Sequence, residues 1–192
     1  MKTFLKVLLF TLLSASANAA DKVPAHPHIQ IETTMGVIRL ELDGRRAPIT
    51  VAHILQLIDS GYYDGTVFHR VIPGFMAQAG GFTPDLKRQE TDAAIANESG
   101  NGLENIRGTI AMARLGDPHT ANAQFFINVD DNTSLDPQAT RWGYAVFGYV
   151  IEGMDVVDRI VAVQTGPSGK FKSDVPVIPI VIKKMARFEY DD

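Results

Sequence analysis

From residue 28 onward the chain alternates apolar and polar positions in short runs broken by glycine and proline. His28-Ile29-Gln30-Ile31-Glu32-Thr33 alternates, Met35-Gly36 marks a turn, and Val37-Ile38-Arg39-Leu40-Glu41-Leu42 alternates again. This predicts a β-hairpin with Ile38, Leu40 and Leu42 facing inward. The period then changes. After Ala47-Pro48, residues Val51, Ile54, Leu55 and Ile58 fall at helical spacing and give one apolar face. Proline is tolerated in the first turn of such a helix, and Gly61 is its expected stop. His53 lies beside the stripe and reads as a helix-surface residue. A second helix is predicted from Met154 to Val163, with Met154, Val157, Ile160 and Val161 on one side.

Strand patterns recur at Gly108–Ala113, Gln124–Val129 and Tyr144–Val150. The chain closes on Val177–Phe188, a β-rich stretch in which Pro179 signals an edge or a bulge. Residues 83–107 are polar and rich in Asp, Asn, Glu and Gly; a loop of that length in a compact domain is either functional or mobile. Seven or eight strands with two helices predict a mainly β fold. The expected form is a closed eight-stranded antiparallel β-barrel capped by two α-helices. No internal repeat or low-complexity tract interrupts it.

Composition narrows the function classes. The 192 residues are 45% hydrophobic and 21% charged, which is globular and sufficient for one domain with a substantial core. Net charge is −4 and no basic stripe is visible, which argues against nucleic-acid binding. Residues 1–19 read as a secretory signal peptide: Lys2 and Lys6, an apolar run from Val7 to Leu13, and Ala17-Asn18-Ala19 as cleavage site. Cleavage after Ala19 leaves 16 Lys+Arg of the 18 against 22 acids, a net charge of −6. Residues 20–27 then form a linker and 28–192 the domain. There are no cysteines, so disulfide, zinc-thiolate and cysteine-nucleophile chemistries fall away. An exported, cysteine-free domain of this size suits a bacterial periplasm, with no membrane attachment once the leader is removed and a monomer expected.

The most informative run is Phe68-His69-Arg70-Val71-Ile72-Pro73-Gly74-Phe75-Met76-Ala77-Gln78. Strand, tight turn, strand is its natural reading. Alternation puts Phe68, Arg70 and Ile72 on one face and His69 and Val71 on the other. A cation on an apolar sheet face is costly unless it is paired or used. The run resembles the signature of the cyclophilins, the peptidyl-prolyl cis-trans isomerases. Gln124-Phe125-Phe126-Ile127 and Ala145-Val146-Phe147-Gly148 resemble that family's other core blocks, and the likeness extends from about His28 to Met185. With the leader and Gly108-Thr109-Ile110-Ala111-Met112-Ala113, the chain is most similar to the periplasmic bacterial members.

The resemblance implies a rotation about X-Pro bonds of unfolded or flexible polypeptides. Such a rotation needs no cofactor and no metal. Its barrier, ~20 kcal/mol, is amide resonance. In the twisted transition state the prolyl nitrogen regains its lone pair and accepts a hydrogen bond, which the planar amide cannot. A donor aimed there binds the transition state selectively. On the resemblance Arg70 is that donor, and Gln78 holds the guanidinium or the substrate backbone. An acceleration of about five decades requires roughly 7 kcal/mol, and one preorganised donor supplies about 3–4 kcal/mol. The remainder must come from a dry pocket. By carry-over Phe75, Met76, Phe126 and Leu135 form that pocket, Ala113 and Arg114 contact the residue before proline, Gln124 lines the groove, and Tyr144 stands at the rim. Phe125, of opposite parity to Phe126, and His69, of opposite parity to Arg70, are assigned to the interior.

Three positions depart from the family pattern: Arg114 replaces a usual asparagine, Ser134 a frequent aromatic, and Tyr144 a frequent histidine. The last two bear on the cyclic inhibitor cyclosporin more than on turnover. Asn97-Glu98-Ser99 and Asn132-Thr133-Ser134 match the glycosylation sequon, which means little in a bacterium. His26 and His28 have no third metal ligand nearby, and Asp130-Asp131 reads as a turn pair. A binding module that grips proline segments without catalysis is the alternative function; a secreted hydrolase lacks a nucleophile, a metal set and a carboxylate pair.

Overall fold

The computed structural model describes residues 23–91 and 94–189. The expected leader, 1–19, and the first three linker residues lie outside them. The elements run β1 (His28–Thr33), β2 (Gly36–Leu42), α1 (Pro48–Asp59), β3 (Arg70–Ile72), β4 (Met76–Ala79), β5 (Thr109–Met112), β6 (Phe125–Asn128), β7 (Val146–Glu152), α2 (Met154–Val161), β8 (Thr165–Ser168), β9 (Phe171–Pro176) and β10 (Ile182–Arg187). A 3-10 turn, Thr133–Leu135, lies between β6 and β7. No helix among the described residues is long and apolar enough to cross a membrane.

The hairpin and helix boundaries follow from local chemistry. β1 and β2 pair from His28 opposite Glu41 to Thr33 opposite Gly36, and Ile38, Leu40 and Leu42 are fully buried. α1 ends in a Schellman motif: the Gly61 N–H donates to Ile58 O at 2.9 Å and the Tyr62 N–H to Leu57 O at 3.0 Å. Gly61 takes φ +72°, the left-handed value that this motif requires. His53 is less superficial than expected, because its Nε2 meets the carbonyl of Asn122.

Eight strands form one antiparallel sheet in the order β10-β1-β2-β7-β5-β6-β4-β3. The sheet is an open half-barrel, curling through 227°, and not the closed barrel that the strand count suggests. Its edges, β3 and β10, form no continuous ladder. β3 is only three residues long, ending at the Pro73-Gly74 turn. The edges meet at a single bridge, Val67 opposite Val181, flanked by Phe68 N–H to Ile180 O at 3.0 Å and Ile182 N–H to Thr66 O at 2.8 Å. Of the predicted strand Val177–Phe188 only Ile182–Arg187 is strand, and Val177 and Ile178 are exposed.

β8 and β9 form a separate two-stranded ribbon that hydrophobic periodicity does not announce, since Thr165–Pro176 is polar throughout except for Phe171 and Val175. The parity of the central run also shifts. Phe68 precedes β3 and joins Val71 in the main core rather than lying with Arg70 and Ile72.

Both helices bury their apolar faces against the sheet. Val51, Ile54, Leu55 and Ile58 of α1 and Val156, Val157, Ile160 and Val161 of α2 join Ile29, Ile31, Ile38, Leu40, Phe125, Ile127 and Phe147 in one cluster. A second, smaller cluster of Met76, Ala111, Phe126 and Val146 lies apart from it. It gathers Ile72, Phe75, Leu103, Ala113, Leu135 and Tyr144 around its margin.

Candidate active site

The period of two along each strand creates this second cluster. On β4, Ala77 and Ala79 enter the main core and Met76 the smaller cluster; on β6, Phe125 and Ile127 enter the core and Phe126 the smaller cluster. On β5, Ile110 and Met112 go one way and Ala111 the other. Pairing then sets the lateral order. Arg70 lies opposite Gln78, Gln78 opposite Phe126, Phe126 opposite Ala111, and Ala111 opposite Val146. One row thus crosses five strands, with a cation at the sheet edge, an amide beside it and an aromatic ring next. At about 4.8 Å per strand, Arg70 and Phe126 stand roughly 10 Å apart, the length of about three extended residues.

Above this row is a cavity of about 90 Å³ lined by Arg70, Phe75, Met76, Gln78, Ala113, Phe126, Leu135 and Tyr144. It has room for one small ring. Each wall comes from a different element. Phe75 leaves the Pro73-Gly74 turn, where its N–H donates to Ile72 O at 3.1 Å and its carbonyl accepts from Val129 N–H at 3.0 Å. Leu135 ends the 3-10 turn and accepts the Tyr144 N–H at 2.9 Å. The Phe126 and Tyr144 rings meet edge to face at 5.7 Å. A larger groove of about 460 Å³, lined by the β1–β2 turn, residues 163–164 and residues 177–180, presents no charged side chain.

Of the ten residues named from sequence, Arg114 and Gln124 do not line the cavity. Gln124 sits behind it, with its Oε1 accepting from Gln78 Nε2 at 3.1 Å. The Gln78 amide nitrogen therefore points to Gln124 rather than to Arg70. The Arg114 guanidinium turns away and donates to the carbonyls of Gly143 (3.1 Å), Trp142 (2.7 Å), Leu115 (2.9 Å) and Gly116 (3.3 Å). It also lies over the Tyr144 ring at 4.6 Å. This arginine ties the 114–116 and 142–144 segments together at the rim.

His69, next to Arg70 in sequence, is 1% exposed, and its Nδ1 is buried without a hydrogen-bond partner. Burial pushes its pKa down to about 4, with help from the Arg70 and Lys170 cations; the Val67 backbone and the Gln124 side chain oppose the shift. The imidazole is therefore neutral near pH 7 and adds no second charge beside Arg70.

Sequence reasoning missed the support beneath the cavity. Asn132 Nδ2 donates to Phe75 O and to Asn128 Oδ1, both at 2.8 Å, and Asn128 Nδ2 to Thr109 Oγ1 at 2.9 Å. Asn105 Nδ2 donates to Asp136 Oδ1 at 2.8 Å. Three amides, at most 9% exposed, link the walls. The available signal was Asn132 itself, set aside as part of a sequon. His26 and His28 also have company: His26 Nδ1 lies 3.0 Å and His28 Nε2 3.2 Å from the two carboxylate oxygens of Glu41. Even so, no group of three or more His, Asp or Glu among the described residues is arranged to hold a metal ion.

Comparison with known proteins gives a consistent result. The family described as cyclophilin type peptidyl-prolyl cis-trans isomerase/CLD matches residues 28–186. Peptidyl-prolyl cis-trans isomerase A of Dickeya dadantii is 47% identical over 174 residues, 90% of this chain and 91% of its own length. Peptidyl-prolyl cis-trans isomerase B of Escherichia coli is 47% identical over 160 residues, 82% and 97% of the two chains. Among solved structures, a cyclophilin type isomerase of Cryptosporidium parvum superposes with a TM-score of 0.73 at 27% identity, covering 86% of this chain and 99% of that one. The same protein has been crystallised in the presence of the dipeptide Ala-Pro.

Proposed function

This chain belongs to the cyclophilin-type peptidyl-prolyl cis-trans isomerases and is an enzyme of that class, and from this premise we propose that Arg70 is the donor to the prolyl nitrogen and that the 90 Å³ cavity holds the proline ring. The observation that carries the reading is the row Arg70–Gln78–Phe126, which sets a cation within one short peptide's reach of an apolar, aromatic-lined slot. A proline seated between Phe75, Met76, Phe126 and Leu135 brings its nitrogen toward the guanidinium as the amide twists.

Two effects then lower the barrier. Arg70 bonds a lone pair that only the twisted amide possesses, so the gain falls on the transition state. The apolar slot disfavours the more dipolar planar amide. The rotation exchanges no electrons and transfers no group, so the reading needs no cofactor. The wider role is assistance to the folding of exported polypeptides in the periplasm, acting as a monomer on proline-containing flexible segments.

A protease-coupled or NMR-exchange isomerisation assay on the leader-less protein tests the assignment. Arg70→Ala should lose about 10²- to 10³-fold in kcat/KM, the worth of one preorganised donor, with its circular dichroism unchanged. Equal rates for the two proteins would overturn it.

A further inference from the structure

Arg70 occupies an exposed place for a residue that must be aimed. β3 is the last strand of the sheet, so no ladder neighbour confines its outer side. The side chain is 41% exposed, and a free arginine spreads its rotamers over several directions. Gln78, the cross-strand neighbour, has its amide nitrogen committed to Gln124. The charged group that faces Arg70 comes from β9: Asp174 Oδ2 stands 3.9 Å from Arg70 Nε.

The backbone is shaped to put that carboxylate there. In the ribbon Ser168 pairs with Phe171 and Gly166 with Val175. Lys172, Ser173 and Asp174 therefore oppose the single residue Pro167, which makes a bulge. Asp174 takes φ +68° within it. Left-handed backbone is uncommon outside glycine and persists where the surroundings over-determine it. Bulges next to active sites commonly re-aim a side chain. Both ends of the bulge are pinned. Phe171 packs at 5.2 Å from the Phe82 ring and 5.7 Å from His69, and Val175 is buried. Ser173 Oγ donates to Asp174 Oδ2 at 2.9 Å and so fixes the oxygen that faces Arg70.

We propose that Asp174 is a positioning residue for Arg70, an inference that rests on the catalytic reading of Arg70 above. The carboxylate addresses Nε, the inner nitrogen, and leaves the terminal Nη groups to face the substrate. At 3.9 Å it restrains the guanidinium by charge without consuming its donors in hydrogen bonds. The bulge in β9 acts as a fixed arm that points the cation of β3 across the groove.

Asp174→Asn keeps the shape and the tolerance of left-handed backbone and removes the charge. Asp174→Gly removes the side chain and relieves the backbone, so that a loss of activity shared by both cannot be laid to misfolding. Both should lower kcat about tenfold, the scale of a small misplacement of a catalytic group, with KM within about twofold. The ¹⁵Nε signal of Arg70 should broaden or shift in Asp174→Asn while backbone amide signals away from β9 stay put. Added to Arg70→Ala, Asp174→Asn should cost nothing further. Wild-type kcat in both variants, or an equal loss in the Arg70→Ala background, would overturn the proposal. An Arg70→Ala enzyme as fast as the wild type would instead overturn the catalytic reading, and this inference with it.

Discussion

Gln78 Nε2 donates to Gln124 Oε1 at 3.1 Å, joining β4 to the residue just before β6 behind the candidate active site. Gln124 keeps this position because Gly81 offers no side chain. A Cβ at Gly81 would stand 2.4 Å from Gln124 Cγ, 2.6 Å from Cδ and 2.7 Å from Nε2.

Gly81→Ala should therefore act on catalysis through Gln124 and Gln78. The clash is with the Gln124 side chain from Cγ outward, which must shift and so breaks its bond to Gln78. The expected outcome is a fall of about tenfold in kcat/KM, for a displacement of groups beside the proposed proline site. The unfolding free energy from urea titration should fall by about 1 kcal/mol. A variant as active as the wild type would show that the Gln78–Gln124 pair has no part in turnover.

Acid should weaken the fold through His69. Its pKa is lowered to about 4 in the folded protein, against about 6.5 in an unfolded chain. Between these values the unfolded state binds a proton that the folded state does not, so stability falls as pH drops from about 6.5 toward 4. The slope approaches ~1.4 kcal/mol per pH unit and the sum is about 3 kcal/mol. Urea unfolding of the wild type and of His69→Phe at pH 7 and at pH 4.5 measures it. The variant should lose markedly less on acidification; identical losses would remove His69 from the account.

Glu98 should behave as a helix cap delivered from afar. α1 has Ala47 at its N-cap and no side chain there to bond its first N–H groups. Glu98, from the long polar loop, accepts the Ile49 N–H at 3.1 Å, the Thr50 N–H at 2.8 Å and the Thr50 hydroxyl at 2.7 Å. Glu98→Ala should cost about 1–2 kcal/mol and speed hydrogen exchange at Ile49 and Thr50. An unchanged melting temperature would count against the cap.

What the sequence disclosed and withheld divides along physical lines. Patterns of period two and 3.6 are local, and they located β1, β2, α1, α2 and the opposite parity of Phe125 and Phe126, because burial acts on each side chain where it stands. Whether β3 and β10 would join into a closed barrel depended on how far their long-range pairing runs beyond Val67 and Val181, which no periodicity records. The ribbon of β8 and β9 escaped notice because its residues are held by backbone pairing and by Phe171 rather than by an apolar face. Glu98 and Asn132 lay in stretches that read as polar loop or as sequon. Their roles arise from partners distant in sequence, Thr50 for one and Phe75 for the other. At the site, motif and strand parity named the residues that line the cavity. The direction of the Arg114 side chain was not legible, since it is decided by carbonyls exposed at the 142–143 turn.

β1 is flanked on one side by β2 and on the other by β10, with Ile31 opposite both Ile38 and Met185. The first of these partners leaves the ribosome a few residues after β1, the second only when nearly everything else has been made. The hairpin can therefore form early, but its outer edge has no mate until the last strand arrives. Such a long-range pairing slows folding and makes it a late, whole-chain event. A product of interrupted translation would present a bare strand edge, open to pairing with another copy. A peptidyl-prolyl cis-trans isomerase thus carries a slow, long-range closure of its own, written into the pairing of its first strand in sequence with its last.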